Sequence, residues 1–406
     1  MIPLAEAQAE VLAVCTPRPA RPVAVADALG LVLAEPVTAA EPVPPFANSA
    51  MDGYAVRSAD VAGASAERPA RLRVIGTAAA GIASPASVGA GEALRIMTGA
   101  LFPDGADAVA IVETTRTEGD EVWVSAPAAP GEHVRRAGED IEAGQVVFAE
   151  GTVLGPGHLG VLCSIGREKV SVVPAPVVGV LSTGDELVEG GAALLPGQIR
   201  DSNRRTLAGL LRRDGFKAVD LGIAPDDEAE IERRLAGGAA TCDAVLTSGG
   251  VSMGDFDYVK AVLDRIGRMR WMQVAIRPAK PFAFGLVEAT PVFGLPGNPV
   301  SSMVSYEVLA RPGLRRMAGR ADSDLHRAAV RALVDGEPLR GASDGRTSFA
   351  RVRASFLGDG RLHVSNAGGQ GSHQLRAMAV ADALAVVPPA AQVAAGQEVD
   401  VLLISP

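Results

Sequence analysis

The chain reads as a multidomain α/β protein: a central, largely parallel sheet covered by helices on both faces, with β-rich accessory domains. Three observations predict this. Strand-like and helix-like patterns alternate between about residues 174 and 317, as repeated β-α units do when they build a parallel sheet. Residues from about 42 to 142 carry only short apolar strands between Gly/Pro turns, the pattern of a small β domain. Finally, 406 residues with 48% hydrophobic content exceed one compact core and suffice for several.

Taken in order, the start Met1-Ile2-Pro3-Leu4-Ala5-Glu6 has no basic region ahead of an apolar core, so it does not read as a signal peptide. The segments 21–41 and 144–173 flank the β-rich region. They are expected to pair with each other, making residues 42–143 an insertion. The run Pro44-Pro45-Phe46-Ala47-Asn48-Ser49-Ala50-Met51-Asp52-Gly53-Tyr54-Ala55 stands at its entrance. It reads either as a proline-stiffened joint or as a loop presenting a carboxylate beside glycine. Strands follow at 71–75, 93–97, 108–112 and 121–124, with a second unusual loop at Met97-Thr98-Gly99-Ala100.

In the α/β region, a buried strand at 177–181 ends in Ser182-Thr183-Gly184-Asp185-Glu186, and a helix at 205–213 sets Leu207, Leu210 and Leu211 on one face. A strand at 217–221 leads to Pro225-Asp226-Asp227, where acidic residues open a helix at 228–235. A strand at 244–246 runs into Thr247-Ser248-Gly249-Gly250-Val251-Ser252-Met253-Gly254-Asp255-Phe256-Asp257 and a helix from Tyr258. Further strands are expected near 272–276, 282–284 and 292–293. A last helix starts at Asn298-Pro299, Asn capping and Pro filling the first turn. The tail from about residue 324 alternates at 349–353 and 361–364 and closes on an apolar run, 400–404; it reads as all-β. The expected domains are therefore 1–20 with 174–323, 21–41 with 144–173, 42–143, and 324–406.

Composition excludes several functions. A net charge of −9 leaves no basic surplus for a nucleic-acid partner. No uncharged apolar run reaches the roughly 18 residues of a membrane helix. Cys15, Cys163 and Cys242 lie too far apart for a disulfide framework or a zinc site. A cytoplasmic protein with reduced thiols is expected. Neither a G-x-x-x-x-G-K-[ST] loop nor a G-x-G-x-x-G after a strand occurs, which removes the common ATPase and dinucleotide readings.

Chemistry concentrates where ligands of open α/β sheets bind, beyond the carboxyl ends of the strands. The Thr247–Asp257 loop offers free N–H groups to a phosphate-like anion, while Asp255 and Asp257 ask for a divalent cation between them and that anion. Magnesium with a pyrophosphate-type ligand is the first expectation. Arg277-Pro278-Ala279-Lys280-Pro281 holds two cations in a proline frame, and Gly294-Leu295-Pro296-Gly297-Asn298-Pro299 offers a second set of N–H groups. Each alone is ordinary turn chemistry, and Asp226 and Asp227 alone suit a helix start. Their convergence on one edge favours a site. Five scattered histidines give little support to a histidine triad or metal centre.

Seven runs together carry a family resemblance: Asn48-Ser49-Ala50-Met51-Asp52-Gly53-Tyr54-Ala55, Met97-Thr98-Gly99-Ala100, Gly138-Glu139-Asp140-Ile141, Ser182-Thr183-Gly184-Asp185-Glu186-Leu187, Gly197-Gln198-Ile199-Arg200-Asp201-Ser202-Asn203, Thr247-Ser248-Gly249-Gly250-Val251-Ser252 and Gly294-Leu295-Pro296-Gly297-Asn298-Pro299. Over essentially its whole length the chain resembles the molybdopterin molybdenumtransferases, the molybdenum insertases of the MoeA and gephyrin C-terminal family. The resemblance implies a molybdopterin-binding α/β domain, an inserted β domain, a linking segment and a C-terminal β-barrel-like domain. It implies an elongated homodimer whose active-site cleft joins the α/β domain of one subunit to the inserted domain of the other.

The implied reaction of molybdenum cofactor biosynthesis inserts molybdate into adenylylated molybdopterin, cleaving a phosphoanhydride and releasing AMP. By resemblance, Asp52, Glu186, Asp226 and Asp257 take metal or acid/base roles, Mg²⁺ being held by Glu186, Asp226 and Asp257. Thr98 and Asp140 join from the inserted domain. Ser248, Gly249, Gly250, Gly297 and Asn298 hold the pterin phosphate or AMP, Pro296 and Pro299 shape that loop, and Arg277 and Lys280 bind molybdate or neutralise charge. Contacts with a molybdopterin adenylyltransferase and with apo-molybdoenzymes are implied as partners. Three departures stand out: Gln273 and Arg277 occupy positions where the family commonly has lysine, and Ala279 one where it often has glycine. A molybdopterin adenylyltransferase is one alternative, although its Gly-Gly-Thr-Gly loop is here Gly249-Gly250-Val251-Ser252. The others are a non-catalytic scaffold and a tungsten-handling insertase.

Overall fold

A computed structural model describes residues 1–82, 86–191, 193–251 and 258–404. It divides into two units: Met1–Arg21, Gly30–Ala34 and Ser171–Pro406 form one, Pro22–Leu29 and Glu35–Val170 the other. The first unit begins with helix α1 (Leu4–Val14), whose Ala7 and Val11 are buried.

The second unit is built on a six-stranded sheet of β1 (Gly53–Val56), β2 (Ala70–Ala78), β3 (Glu92–Ile96), β4 (Ala108–Ile111), β5 (Thr115–Glu118) and β6 (Glu121–Val124), in the order β4-β1-β3-β2-β6-β5. The flanking segments meet: Thr38 pairs with Val146 and Val37 with Phe148. The entrance to this unit differs from the sequence reading. The turn-rich run around Asp52 gives way at Gly53 to a fully buried strand, β1, between β3 and β4. Gly53 belongs there because a Cβ would collide with the Ala110 carbonyl; its glycine marks close packing rather than a turn.

The first unit continues with β7 (Val177–Thr183), α2 (Asn203–Arg213), β8 (Lys217–Ala224), α3 (Glu228–Thr241), β9 (Ala244–Ser248), α4 (Tyr258–Ile266), β10 (Gly267–Gln273), β11 (Ile276–Arg277), β12 (Pro281–Val287) and β13 (Thr290–Leu295). Its sheet runs β8-β7-β9-β13-β12-β10, parallel through β13 and antiparallel at β12 and β10. Successive side chains of a strand face opposite layers, and both layers are apolar here. Val178, Val180, Leu246 and Phe293 pack with α1 and α2; Leu181, Val245 and Val292 pack with α3 and α4. The apolar run near 272–276 is split because the N-terminal segment takes its hydrogen bonds: Ile2 N–H donates to Gln273 O and Ala275 N–H to Ile2 O, both at 2.8 Å.

Helix α5 (Pro299–Ser305) passes through a π-helical turn, Tyr306–Ala310, into α6 (Arg311–Met317). Beyond it lie β14 (Ala329–Val334), β15 (Thr347–Phe356), β16 (Leu362–Asn366), β17 (Ala383–Val387) and β18 (Glu398–Leu403). Their order β15-β16-β14-β18-β17, with β17 pairing back to β15, closes a five-stranded barrel. The two-residue β11 adds to this barrel, Ile276 opposite Thr347 and Arg277 opposite Ser348. Among the described residues, no helix is long and apolar enough to cross a membrane.

Candidate functional site

Register sets the site. Ser182 pairs with Ser248, and Ser248 with Leu295, so the loops after β7, β9 and β13 leave the sheet side by side. Gly249 turns at φ +98°, which glycine alone adopts freely. Its N–H donates to Leu295 O at 3.1 Å. Asn203, first residue of α2, ties two of the loops together, its amide donating to Ser248 Oγ (2.7 Å) and Gly297 O (2.6 Å). Together they wall a cavity of about 420 Å³, lined by Ser182, Glu186, Asp201, Ser248, Gly249, Gly297, Asn298, Pro299 and His373 among others.

Asp201 is fixed at the rear of that cavity. It accepts from Ser182 Oγ (3.0 Å) and from Arg204 N–H and Nε (3.2 and 2.9 Å). Arg204 also bonds Asp220 and Glu189. Burial disfavours its charge, but the hydrogen bonds to Asp220, Asp201 and Glu189 outweigh that and raise its pKa.

A second cavity, about 400 Å³, is lined by Arg277, Pro278, Ala279, Lys280, Pro281, Pro296, Asn298, Ser301, Arg346 and residues 370–373. Among the described residues, three cations line it and no carboxylate does. Arg346 is held by Asp344 (Nε to Oδ2, 2.8 Å). Among the described residues, the side chains of Arg277 and Lys280 have no hydrogen-bond or ion-pair partner. Beside them the Arg351 side chain, 1% exposed, bonds only carbonyls among the described residues, those of Phe349 (3.3 Å), Gly369 (3.3 Å) and Gly371 (3.4 Å). Burial and then the charge of Arg277 pull its pKa down to about 10. Arg277 and Lys280, gathered without counter-charge of their own, repel their cationic neighbours and favour a bound anion. Ala279 takes φ +80° between Pro278 and Lys280, a strained conformation for a residue with a Cβ. Gln273 faces Pro281 across the β10–β12 pair and is not part of the cavity wall.

The carboxylates divide. Asp227 caps α3, accepting from Glu230 N–H at 2.8 Å. Asp226 and Asp185 brace each other, Asp226 N–H donating to Asp185 (3.0 Å) and Asp185 N–H to Asp226 (3.5 Å). Glu186 folds over Gly184 at the mouth of the first cavity. Among the described residues no group of three or more His, Cys, Asp or Glu is arranged to hold a metal. Asp255 and Asp257 lie outside the described residues, as does Ser252. Of the glycine-loop residues, Ser248 is buried, while Gly250 takes φ +69°. Pro296 is buried, Gly297 and Asn298 are exposed, and Pro299 opens α5.

In the second unit, the exposed Asp52 accepts from Thr98 N–H (2.7 Å) and Thr98 Oγ1 (2.9 Å). The backbone and then the side-chain hydrogen bond hold its pKa below the usual carboxylate value. Asp140 is exposed, its N–H donating to Val43 O at 3.0 Å.

Four residues beside the loops had no role assigned from sequence: Asp201, Asn203, Arg346 and His373. Asp201 and Asn203 lie in a run that the sequence singles out, a usable signal. Arg346 and His373 join the site only through the barrel, and no local pattern marks them.

Three family models match the chain: the MoeA N-terminal region (domain I and II) over residues 2–166, the probable molybdopterin binding domain over 179–316, and the MoeA C-terminal region (domain IV) over 340–404. A molybdopterin molybdenumtransferase of Haemophilus influenzae is 40% identical over 350 residues, 86% of this chain and 84% of that one. Molybdopterin molybdenumtransferase 2 of Mycobacterium tuberculosis is 39% identical over 397 residues, 95% of each. The solved molybdopterin biosynthesis MoeA protein of Pyrococcus horikosii superposes with a TM-score of 0.81 at 32% identity, covering both chains fully.

Proposed function

This chain belongs to the MoeA family of molybdopterin molybdenumtransferases, and from that premise we propose how its residues serve molybdenum cofactor biosynthesis. It acts as a transferase that inserts molybdate into adenylylated molybdopterin, with cleavage of the phosphoanhydride and release of AMP. The observation carrying this reading is the pair of cavities on one sheet edge, one walled by glycine loops and one by cations, sharing Asn298 and His373.

The adenylylated substrate occupies the first cavity. Its phosphates take the N–H groups of Gly250 and Gly297, beside the turn that Gly249 makes toward Leu295, with Ser248 and Asn298 donating from the sides and Pro296 and Pro299 fixing the loop. Molybdate, a substrate, occupies the second, where Arg277, Lys280 and Arg346 neutralise it. As the phosphoanhydride breaks, the same cations stabilise the charge growing on the departing phosphate, an effect realised most strongly in a preorganised site.

Glu186, Asp226 and Asp257 would hold Mg²⁺, being oxygen donors of the kind that ion prefers. When bound, it supplies charge neutralisation at the phosphates. Glu186 and Asp226 leave the same sheet edge, which supports the assignment. We assign Asp52 an acid/base role, its carboxyl held below the usual value by the hydrogen bonds from Thr98. We also assign a cytoplasmic homodimer of four domains, with molybdopterin adenylyltransferase and apo-molybdoenzymes as contacts. Full-length kinship with molybdenumtransferases leaves the adenylyltransferase and scaffold alternatives without support.

The test is AMP release from adenylylated molybdopterin by purified protein, with and without molybdate and Mg²⁺. Release that needs both, followed by activation of an apo-molybdoenzyme, is expected. Tight binding of the adenylylated substrate with no release would overturn the reading. Tungstate in place of molybdate decides metal selectivity, and sedimentation decides the dimer.

A further inference from the structure

We propose that His373 is a binding residue shared by the two cavities, contacting the oxyanion in one and the phosphate end of the adenylylated substrate in the other. This rests on the function proposed above and adds to it a barrel residue that neither the sequence runs nor the sheet edge points to.

Position is the first observation. Among the described residues, His373 and Asn298 are the two that line both cavities. Asn298 belongs to the sheet's own loop, whereas His373 arrives from the far side, on the segment between β16 and β17. That segment is fixed rather than loosely draped. Arg351 donates to Gly369 O and Gly371 O. Gln370 exchanges hydrogen bonds with the Arg351 backbone, accepting from its N–H (2.9 Å) and donating to its carbonyl (3.0 Å). Ser372 O accepts from Val300 N–H at 3.1 Å, joining the segment to the first turn of α5. An exposed histidine is thus held at the wall between two anion sites.

The ring's own bonding is the second observation. Among the described residues its nitrogens have no partner. His363, in the same barrel, shows the contrast: its Nδ1 lies 3.0 Å from Asp335 and its Nε2 2.9 Å from Asp359, so both ring positions are spent on carboxylates. Imidazole offers two nitrogens on opposite sides and, when protonated, two donors and a positive charge. Lying between a molybdate and a phosphate, it answers both at once, complementing Arg277, Lys280 and Arg346 on one side. Asp201 and Glu186 line the other cavity.

The experiment is isothermal titration of the full chain with molybdate and, separately, with AMP. His373→Ala is expected to weaken both by about tenfold, the scale of one lost hydrogen bond to a charged group. Arg346→Ala, lining only the cation cavity, should weaken molybdate alone, and Asn203→Ala, at the other cavity, AMP alone. His373→Gln, which keeps a donor without the charge, should fall between wild type and His373→Ala for both probes. A thermal melt checks folding of each variant; if His373→Ala unfolds, His373→Gln carries the test. Loss confined to one probe, or to neither, overturns the shared role while leaving the function intact. If wild type binds neither probe, the function fails and this inference with it.

Discussion

Two arginine clusters of the first unit sit on the same polypeptide and behave oppositely. At the C-terminal end of α2, Arg213, Arg311 and Arg327 surround Asp214 and Glu307, the latter 1% exposed, and each makes at least one ion pair there. Tyr306 adds a hydrogen bond to Asp214 at 2.8 Å, and Arg213 reaches the barrel through Ile404 O at 2.9 Å. In the cation cavity, by contrast, Arg277 and Lys280 are left without partners among the described residues, and Arg346 alone has an aspartate. Charges compensated within the chain hold it together. Charges left uncompensated are waiting for something the chain does not contain.

The contrast can be broken at either end. The largest effect is expected from Glu307→Ala, which leaves two partly buried guanidinium groups short of a counter-charge. Breaking a buried pair in this way costs about 3–5 kcal/mol, measured by urea unfolding, while molybdate affinity of the folded fraction stays unchanged. Arg277→Ala and Lys280→Ala should do the reverse, lowering AMP release by roughly 10²–10³-fold, as loss of a preorganised electrostatic contact does, with the unfolding midpoint unmoved. If instead either variant destabilised the fold and spared turnover, the distinction between the clusters would collapse.

Acid should find the first cluster before the second. Burial pushes Asp214 up, but the hydrogen bond and charge of Arg213 and the charges of Arg311 and Arg327 more than offset it, leaving its pKa below the usual value. A carboxyl depressed on folding stabilises above its unfolded pKa, near 3.9 for aspartate, and that contribution disappears as pH falls through the folded value. Stability measured from pH 6 downward should therefore decline below about pH 4, and Asp214→Asn should flatten that slope. The smallest effect is expected at Ala279. Relieving a left-handed residue recovers about 1–2 kcal/mol, offset by about 0.5–1 kcal/mol of extra chain entropy from glycine. Ala279→Gly should raise the melting temperature slightly and leave Arg277 and Lys280 in place; a fall would mean that the strain is compensated by the Ala279 methyl's packing, which is 3% exposed.

Much of this was legible in one dimension. The β-α alternation between Val177 and Pro299, the acidic start of α3 and the proline at the head of α5 are local patterns, and local physics produced them. The glycine loop, the Pro-framed cations and the Asn203 run were readable for the same reason. What escaped depends on meetings between distant residues. Arg351 and Arg204 look like surface arginines until carbonyls or carboxylates close around them. Gly53 looked like a turn because its close neighbour, Ala110, lies across a strand pair. Arg346 and His373 sit about 70 to 90 residues beyond the loop they join, brought there by the pairing of β11 with β15.

That two-residue pairing has a consequence for how the molecule can be taken apart. A chimaera exchanging the barrel for a relative's would sever hydrogen bonds anchoring the strand that carries Arg277, so the loop 274–281 must travel with the barrel rather than with the sheet. The seam for recombination lies inside the α/β chain, not at the point where the helices end. A graft cut at residue 324 would inherit a well-folded cylinder and a misaligned cation.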